Sequence, residues 1–279
     1  MKPEYLMQTQ PGRLPKSKPK NNPWFVLFER RPTAKLRLFC FPYAGGSAMI
    51  YRTWAASLPD MIEVIAVELP GRGARLREPT FTSLESLVNA IGQQIMPHLH
   101  TPFALFGHSM GAVISYELAR LLETEFGVKP LCLFVSGREA PQIPDPDPPP
   151  RKIGRDELIE RLRRLNGTPT EVLEHGGLME LMLPVLQADF ELLYGYEYKP
   201  RPLLRCPITA FGGLLDARTP QSHLRAWREQ TVGDFNMHLL PGDHFFIRTS
   251  QRALLEVLMG HVFEMLCSAS ESSLPIGGI

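Results

Sequence analysis

Gly107-His108-Ser109-Met110-Gly111 has the form G-x-S-x-G and stands between an apolar run, FALFG, and a helical pattern, GAVISYELARLLETEF. A serine at such a strand-to-helix turn has its hydroxyl exposed at a strained tip, and the flanking glycines keep side chains out of the reversal. The helix that follows directs its N-terminal N–H groups and positive dipole end at any oxyanion formed there. A serine hydroxyl is a poor nucleophile until a base takes its proton. The chemistry therefore demands a histidine and an orienting carboxylate further along, in the order Ser, Asp, His.

Eight histidines are available. His244, in PGDHFFI, directly follows the strand-like FNMHLLPG and is the expected base. His108 is too near Ser109 in the chain to serve it; His98, His100, His175, His223 and His261 fall on helices or their ends, and His238 lies within the strand. For the carboxylate, Asp216 in FGGLLDARTP stands just past a strand at 207–213, suited to accept from a histidine Nδ1–H. Asp243 competes but neighbours His244, and adjacent residues rarely fold back to pair side chains, so it is read as shaping the loop. Asp189 falls in a helix and Asp234 in a surface turn. An oxyanion needs two N–H donors. Met110, after the serine, supplies one, and the turn in CFPYAGGSA supplies the other from Ala44, with Tyr43 the one-residue alternative.

These residues need a frame that brings them together. From Leu36 onward, short apolar runs rich in β-formers alternate with amphipathic helical patterns, which predicts an α/β domain with a mostly parallel central sheet flanked by helices. Five prolines between 144 and 150 break the alternation, and residues of about 153–198 then read as helix without strand, interrupted by NGTP at 166–169 and HGG at 175–177, a lid inserted over the site. That α/β domain spans 23–268. Residues 1–22 read as a disordered basic arm, the first 35 residues carrying eight Lys/Arg against two Asp/Glu, and 269–279 as a flexible tail.

The 279 residues are 44% hydrophobic, enough for one sizeable core, and a formal charge of +1 argues against nucleic acid or an anionic membrane as partner. Cys40, Cys132, Cys206 and Cys267 show no metal-ligand spacing and read as free thiols of a reducing cytosol. With no signal-peptide pattern and no run long enough to span a bilayer, the expected location is cytoplasmic.

LFCFPYAGGSAMIYRTW, VELPGRGARLREP, LFGHSMGAVISYELAR, the lid segment GTPTEVLEHGGLMELMLPVLQADFELLYGY, PITAFGGLLDARTP and LPGDHFFI together make the chain resemble, from 36 to about 267, the type II thioesterases. These are α/β-hydrolases that accompany polyketide synthases and nonribosomal peptide synthetases. The resemblance implies Ser109 as nucleophile, Asp216 and His244 as its partners, and the N–H groups of Met110 and Ala44 as oxyanion hole. It implies hydrolysis of acyl thioesters from the phosphopantetheine arm of acyl or peptidyl carrier proteins, editing stalled or misprimed chains, with no cofactor and no metal; a monomer is expected. The alternatives are a medium-chain fatty acyl carrier protein thioesterase and a cytosolic carboxylesterase. The basic run RKIGRDELIERLRR, with Arg161, Arg163 and Arg164, is a candidate carrier-docking face. Met179 and Met182 suggest a yielding acyl pocket. Arg72 and Arg75 are read as fixing a turn rather than meeting the pantetheine phosphate.

Overall fold

Leu38 and Cys40 face one side of the central sheet and Phe39 and Phe41 the other, the period-two alternation of a strand buried on both faces. The computed structural model describes residues 22–144, 154–165 and 176–271. The predicted arm up to residue 21, the proline run from 145, the NGTP interruption and residues 272–279 lie outside them.

The strands β1 (Phe25–Val26), β2 (Leu36–Phe41), β3 (Ile62–Val67), β4 (Phe103–His108), β5 (Leu133–Ser136), β6 (Ile208–Gly213) and β7 (Phe235–Leu240) form one sheet in the order β1-β3-β2-β4-β5-β6-β7. All neighbours pair in parallel except β1, which runs antiparallel to β3. One face is covered by α2 (Leu84–Ile95) and α3 (Met110–Glu125), packed on Phe39, Leu105, Leu133 and Val135. The other is covered by α1 (Arg52–Ser57) and the closing helix α8 (Gln251–Glu271), packed on Leu38, Phe106 and Phe134. α2 buries Leu84, Leu87, Val88, Ile91 and Ile95, one stripe of a 3.6-residue repeat, and Ser83 caps it by accepting from Ser86 N–H at 3.4 Å. Each such leucine or isoleucine stabilises the fold by about 1.5–3 kcal/mol on burial.

Between β5 and β6 lie two lid helices, α4 (Arg155–Leu165) and α5 (Gly176–Tyr194). They share a small core of Leu158, Leu162, Met179, Leu183, Leu186 and Phe190. Two short helices, α6 (Gln221–Arg225) and α7 (Phe246–Thr249), follow β6 and β7. Parallel pairing carries the carboxyl ends of β2, β4, β6 and β7 to one edge, so the loops holding Ala44, Ser109, Asp216 and His244 meet there.

Three details differ from the sequence reading. The strand β1 was not foreseen, because two residues show no periodicity; its pairing is decided by β3. Gly176 and Gly177, read as part of an interruption, open α5 instead. The last helix runs through Glu271, beyond the expected start of the tail at 269. Among the described residues no helix is long and apolar enough to cross a membrane.

Candidate active site

Ser109 has φ 54° and ψ −111°, and among the described residues no other non-glycine has positive φ. Such a conformation costs on the order of 1–3 kcal/mol and persists only where its surroundings impose it. They do so here through Ser109 N–H, which donates to Ser136 O at the end of β5 at 2.7 Å, and through the crowding of the turn. A Cβ at Gly107 would overlap the Gly111 carbonyl, and one at Gly111 would overlap the carbonyl oxygen of Phe41 in β2. Both glycines are required for close backbone approach.

His244 lies after β7 in a loop shaped by Asp243, whose Oδ1 accepts from Phe245 N–H at 2.8 Å. The loop after β6 is joined to it by Leu215 N–H donating to Gly242 O at 2.9 Å. This brings Asp216 Oδ2 to 2.8 Å from His244 Nδ1, while His244 Nε2 stands 3.1 Å from Ser109 Oγ. An ionised carboxylate only accepts, so Nδ1 carries the proton and Nε2 is left to accept from the serine hydroxyl. Burial alone would raise the Asp216 carboxyl. The hydrogen bond and charge of His244, with bonds from Arg218 N–H and the Thr219 side chain, hold it below the usual carboxylate range.

His108, set aside as a base from the sequence, is turned into the core. Its Nδ1 meets Ser136 Oγ at 2.9 Å, and burial followed by the nearby His244 pushes its pKa well below the ordinary histidine value. It is a neutral neighbour, its ring centroid 5.3 Å from that of His244.

Ala44 lies on the turn after β2, and Met110 is the first residue of α3, where an N–H has no acceptor within the helix. Ala44, Ser109 and His244 border a cavity of about 60 Å3 roofed by Leu162, Phe190 and Leu193 of the lid. Met179 lies in the lid's own core and Met182 packs against that core, so neither borders this cavity. A larger concavity of about 570 Å3, between α2, α3 and the segment 195–201, shares none of these residues.

The lid arginines divide. Arg161 lies over the Tyr194 ring at 4.9 Å, turned toward the lid interior, whereas Arg163 is exposed beside Glu160 at 3.6 Å. The Arg164 side chain is outside the described residues. Arg75 donates to Glu68 O at 3.0 Å, pairs with Glu78 and stacks on Trp24, so it fixes its turn as expected. Arg72 is bound bidentately by Asp189 of α5. Sequence reasoning weighed Asp189 only as a partner for histidine and missed this pairing. An aspartate between Leu186 and Phe190 in the largely apolar run LMLPVLQADF was the available signal, since a carboxylate buried there must find a cation or N–H donors.

A model of the thioesterase domain family matches residues 36–264. The gramicidin S biosynthesis protein GrsT of Aneurinibacillus migulanus is 45% identical over 237 residues, 85% of this chain and 93% of its own length. LgrE of Brevibacillus parabrevis, named a linear gramicidin dehydrogenase, is 42% identical over 238 residues, 84% of this chain and 90% of its own. Among solved structures, the type II thioesterase BorB from the borrelidin biosynthetic cluster superposes with a TM-score of 0.80 at 35% identity, covering 88% of this chain and 99% of that one.

Proposed function

The chain belongs to the thioesterase domain family, and from that premise we propose that it hydrolyses acyl thioesters held on the phosphopantetheine arm of acyl or peptidyl carrier proteins, clearing stalled or misprimed chains. The observation that carries this reading is Ser109 Oγ, 3.1 Å from His244 Nε2, at a short cavity roofed by apolar lid residues. Ser109 Oγ attacks the thioester carbonyl carbon while His244 Nε2 takes its proton. Asp216 holds the imidazole in the required tautomer and stabilises the imidazolium that forms. The carbonyl electrons move onto oxygen, where the N–H groups of Ala44 and Met110 donate to the oxyanion. Collapse breaks the carbon–sulfur bond, and the departing pantetheine sulfur takes the proton from His244. Water then attacks the acyl-serine, giving its proton to His244; the free acid leaves and Ser109 recovers its proton. Both steps balance with these groups and water alone. The similarity to BorB and GrsT, whose names place them in borrelidin and gramicidin S biosynthesis, supports carriers of a multienzyme synthase as partners.

The test is thiol release from a butyryl carrier protein by the wild-type protein and by Ser109→Ala. Release by the first and none by the second is expected. Equal release by both would overturn the assignment of Ser109. No release by either, with nicotinamide-dependent reduction of the thioester instead, would favour the redox chemistry in LgrE's name.

A further inference from the structure

The turn that carries Ala44 is gripped from above by the lid. Gly46 N–H donates to Tyr43 O at 2.9 Å and Gly45 has φ 75°, the signature of a type II turn over Tyr43-Ala44-Gly45-Gly46. Its central N–H, on Gly45, donates at 2.7 Å to Asp189 Oδ2 of α5. Rotation of this central peptide is what separates a type II turn from a type I turn, and Asp189 holds it in one state. Asp189 is itself held by Arg72, whose two terminal nitrogens reach Oδ2 at 2.8 Å and Oδ1 at 2.6 Å. Arg72 also donates to Gly46 O at 3.1 Å, so the peptides on both sides of the Gly45-Gly46 pair are pinned. Leu186, three residues before Asp189 on the same helix face, packs so closely on the turn that a Cβ at Gly45 would lie 2.6 Å from its Cδ2.

Both charges are buried, Asp189 at 2% exposure and Arg72 at 6%. A buried ion pair adds little stability over an apolar pair of equal volume. What an apolar pair would lack is direction: the Asp189 carboxylate, held by two guanidinium N–H groups, orients the one peptide N–H, that of Gly45, that donates to it.

We propose that Asp189 is a positioning residue for the hydrolysis. With Arg72 it locks the turn so that Ala44 N–H faces the developing oxyanion, and docking of the lid helix thereby becomes a condition of a competent site. The inference rests on the reading of Ala44 as an oxyanion donor.

The experiment uses a butyryl thioester of N-acetylcysteamine, too small to sense carrier docking, with Asp189→Asn, Asp189→Glu, Arg72→Met and the Asp189→Asn/Arg72→Met double variant, each checked by thermal unfolding. Removing an oxyanion donor costs about 100- to 1000-fold in kcat. Misaligning one by Asp189→Asn should cost roughly 10- to 100-fold, with KM within about twofold, and Asp189→Glu should recover part of the loss. Affinity for a trifluoromethyl ketone analogue, which forms an oxyanion on serine, should fall by the same factor as kcat/KM. The double variant strands no charge and keeps the test decisive if Asp189→Asn alone does not fold. Wild-type kcat in a folded Asp189→Asn or double variant, or a raised KM with unchanged kcat, overturns the proposal. Ser109→Ala is assayed in parallel: residual turnover there would instead overturn the reading of the site.

Discussion

Asp216 Oδ2 and His244 Nδ1 lie 2.8 Å apart, although Asp243 is the carboxylate next to His244 in the chain. Asp243 is engaged with Phe245 N–H at 2.8 Å. Asp216→Asn should therefore cost about 10^4-fold in kcat by favouring the wrong imidazole tautomer. Asp243→Asn keeps a side-chain oxygen for Phe245 N–H and should stay within severalfold of wild type. Steady-state kinetics of the two variants check this, and the reverse ranking would move the orienting role to Asp243.

The positive φ of Ser109 gives a stability prediction separate from catalysis. Ser109→Ala and Ser109→Gly both lack the hydroxyl, and both should be inactive. Glycine adopts this backbone conformation freely whereas alanine does not, so Ser109→Gly should be the more stable by about 1 kcal/mol, the opposite of their usual order. Chemical denaturation of the two variants measures the difference.

Acyl selectivity should be shallow. Every substrate shares the thioester and its oxyanion contacts, so discrimination comes from burial in the cavity, worth about 0.8 kcal/mol, or roughly fourfold, per methylene. Acetyl, propionyl and butyryl carrier thioesters should differ by about that step, and Phe190→Ala, which removes part of the roof, should shift the preference toward hexanoyl. Measured kcat/KM across the series decides it. One substrate favoured a thousandfold would show a rigid pocket and a dedicated substrate.

Burial holds the folded His108 pKa well below the ordinary value of about 6.5. Between the folded pKa and about 6.5 the unfolded chain binds the extra proton, so stability rises with pH in that window and is flat above it. As pH falls from 7 to 5, wild type should lose up to about 1.4 kcal/mol per pH unit from this residue, and His108→Gln should show a shallower decline. Denaturation at several pH values tests it; equal slopes would mean that His108 takes up its proton in the folded protein.

Much of this protein is legible in the sequence because the responsible patterns are local. Continuous apolar runs such as LRLFCF can be buried on both faces only in a parallel sheet, and a parallel sheet sends the residues after its strands to one edge. That reasoning alone places Ser109, Asp216 and His244 in loops that meet. In the basic run of α4 the charge of Arg161 is visible in sequence, but the Tyr194 ring beneath it is not. Strand β1 is two residues long and exists because β3 offers an edge. The contact of Asp189 with Gly45 spans 144 residues and that with Arg72 spans 117. Local residue types and their spacing therefore determined the sheet, the serine turn and the order of the site residues. Only the packing of α5 onto the turn after β2 brought Asp189 to Gly45 and Arg72, since a carboxylate's partner is whatever cation or N–H the fold brings within about 3 Å.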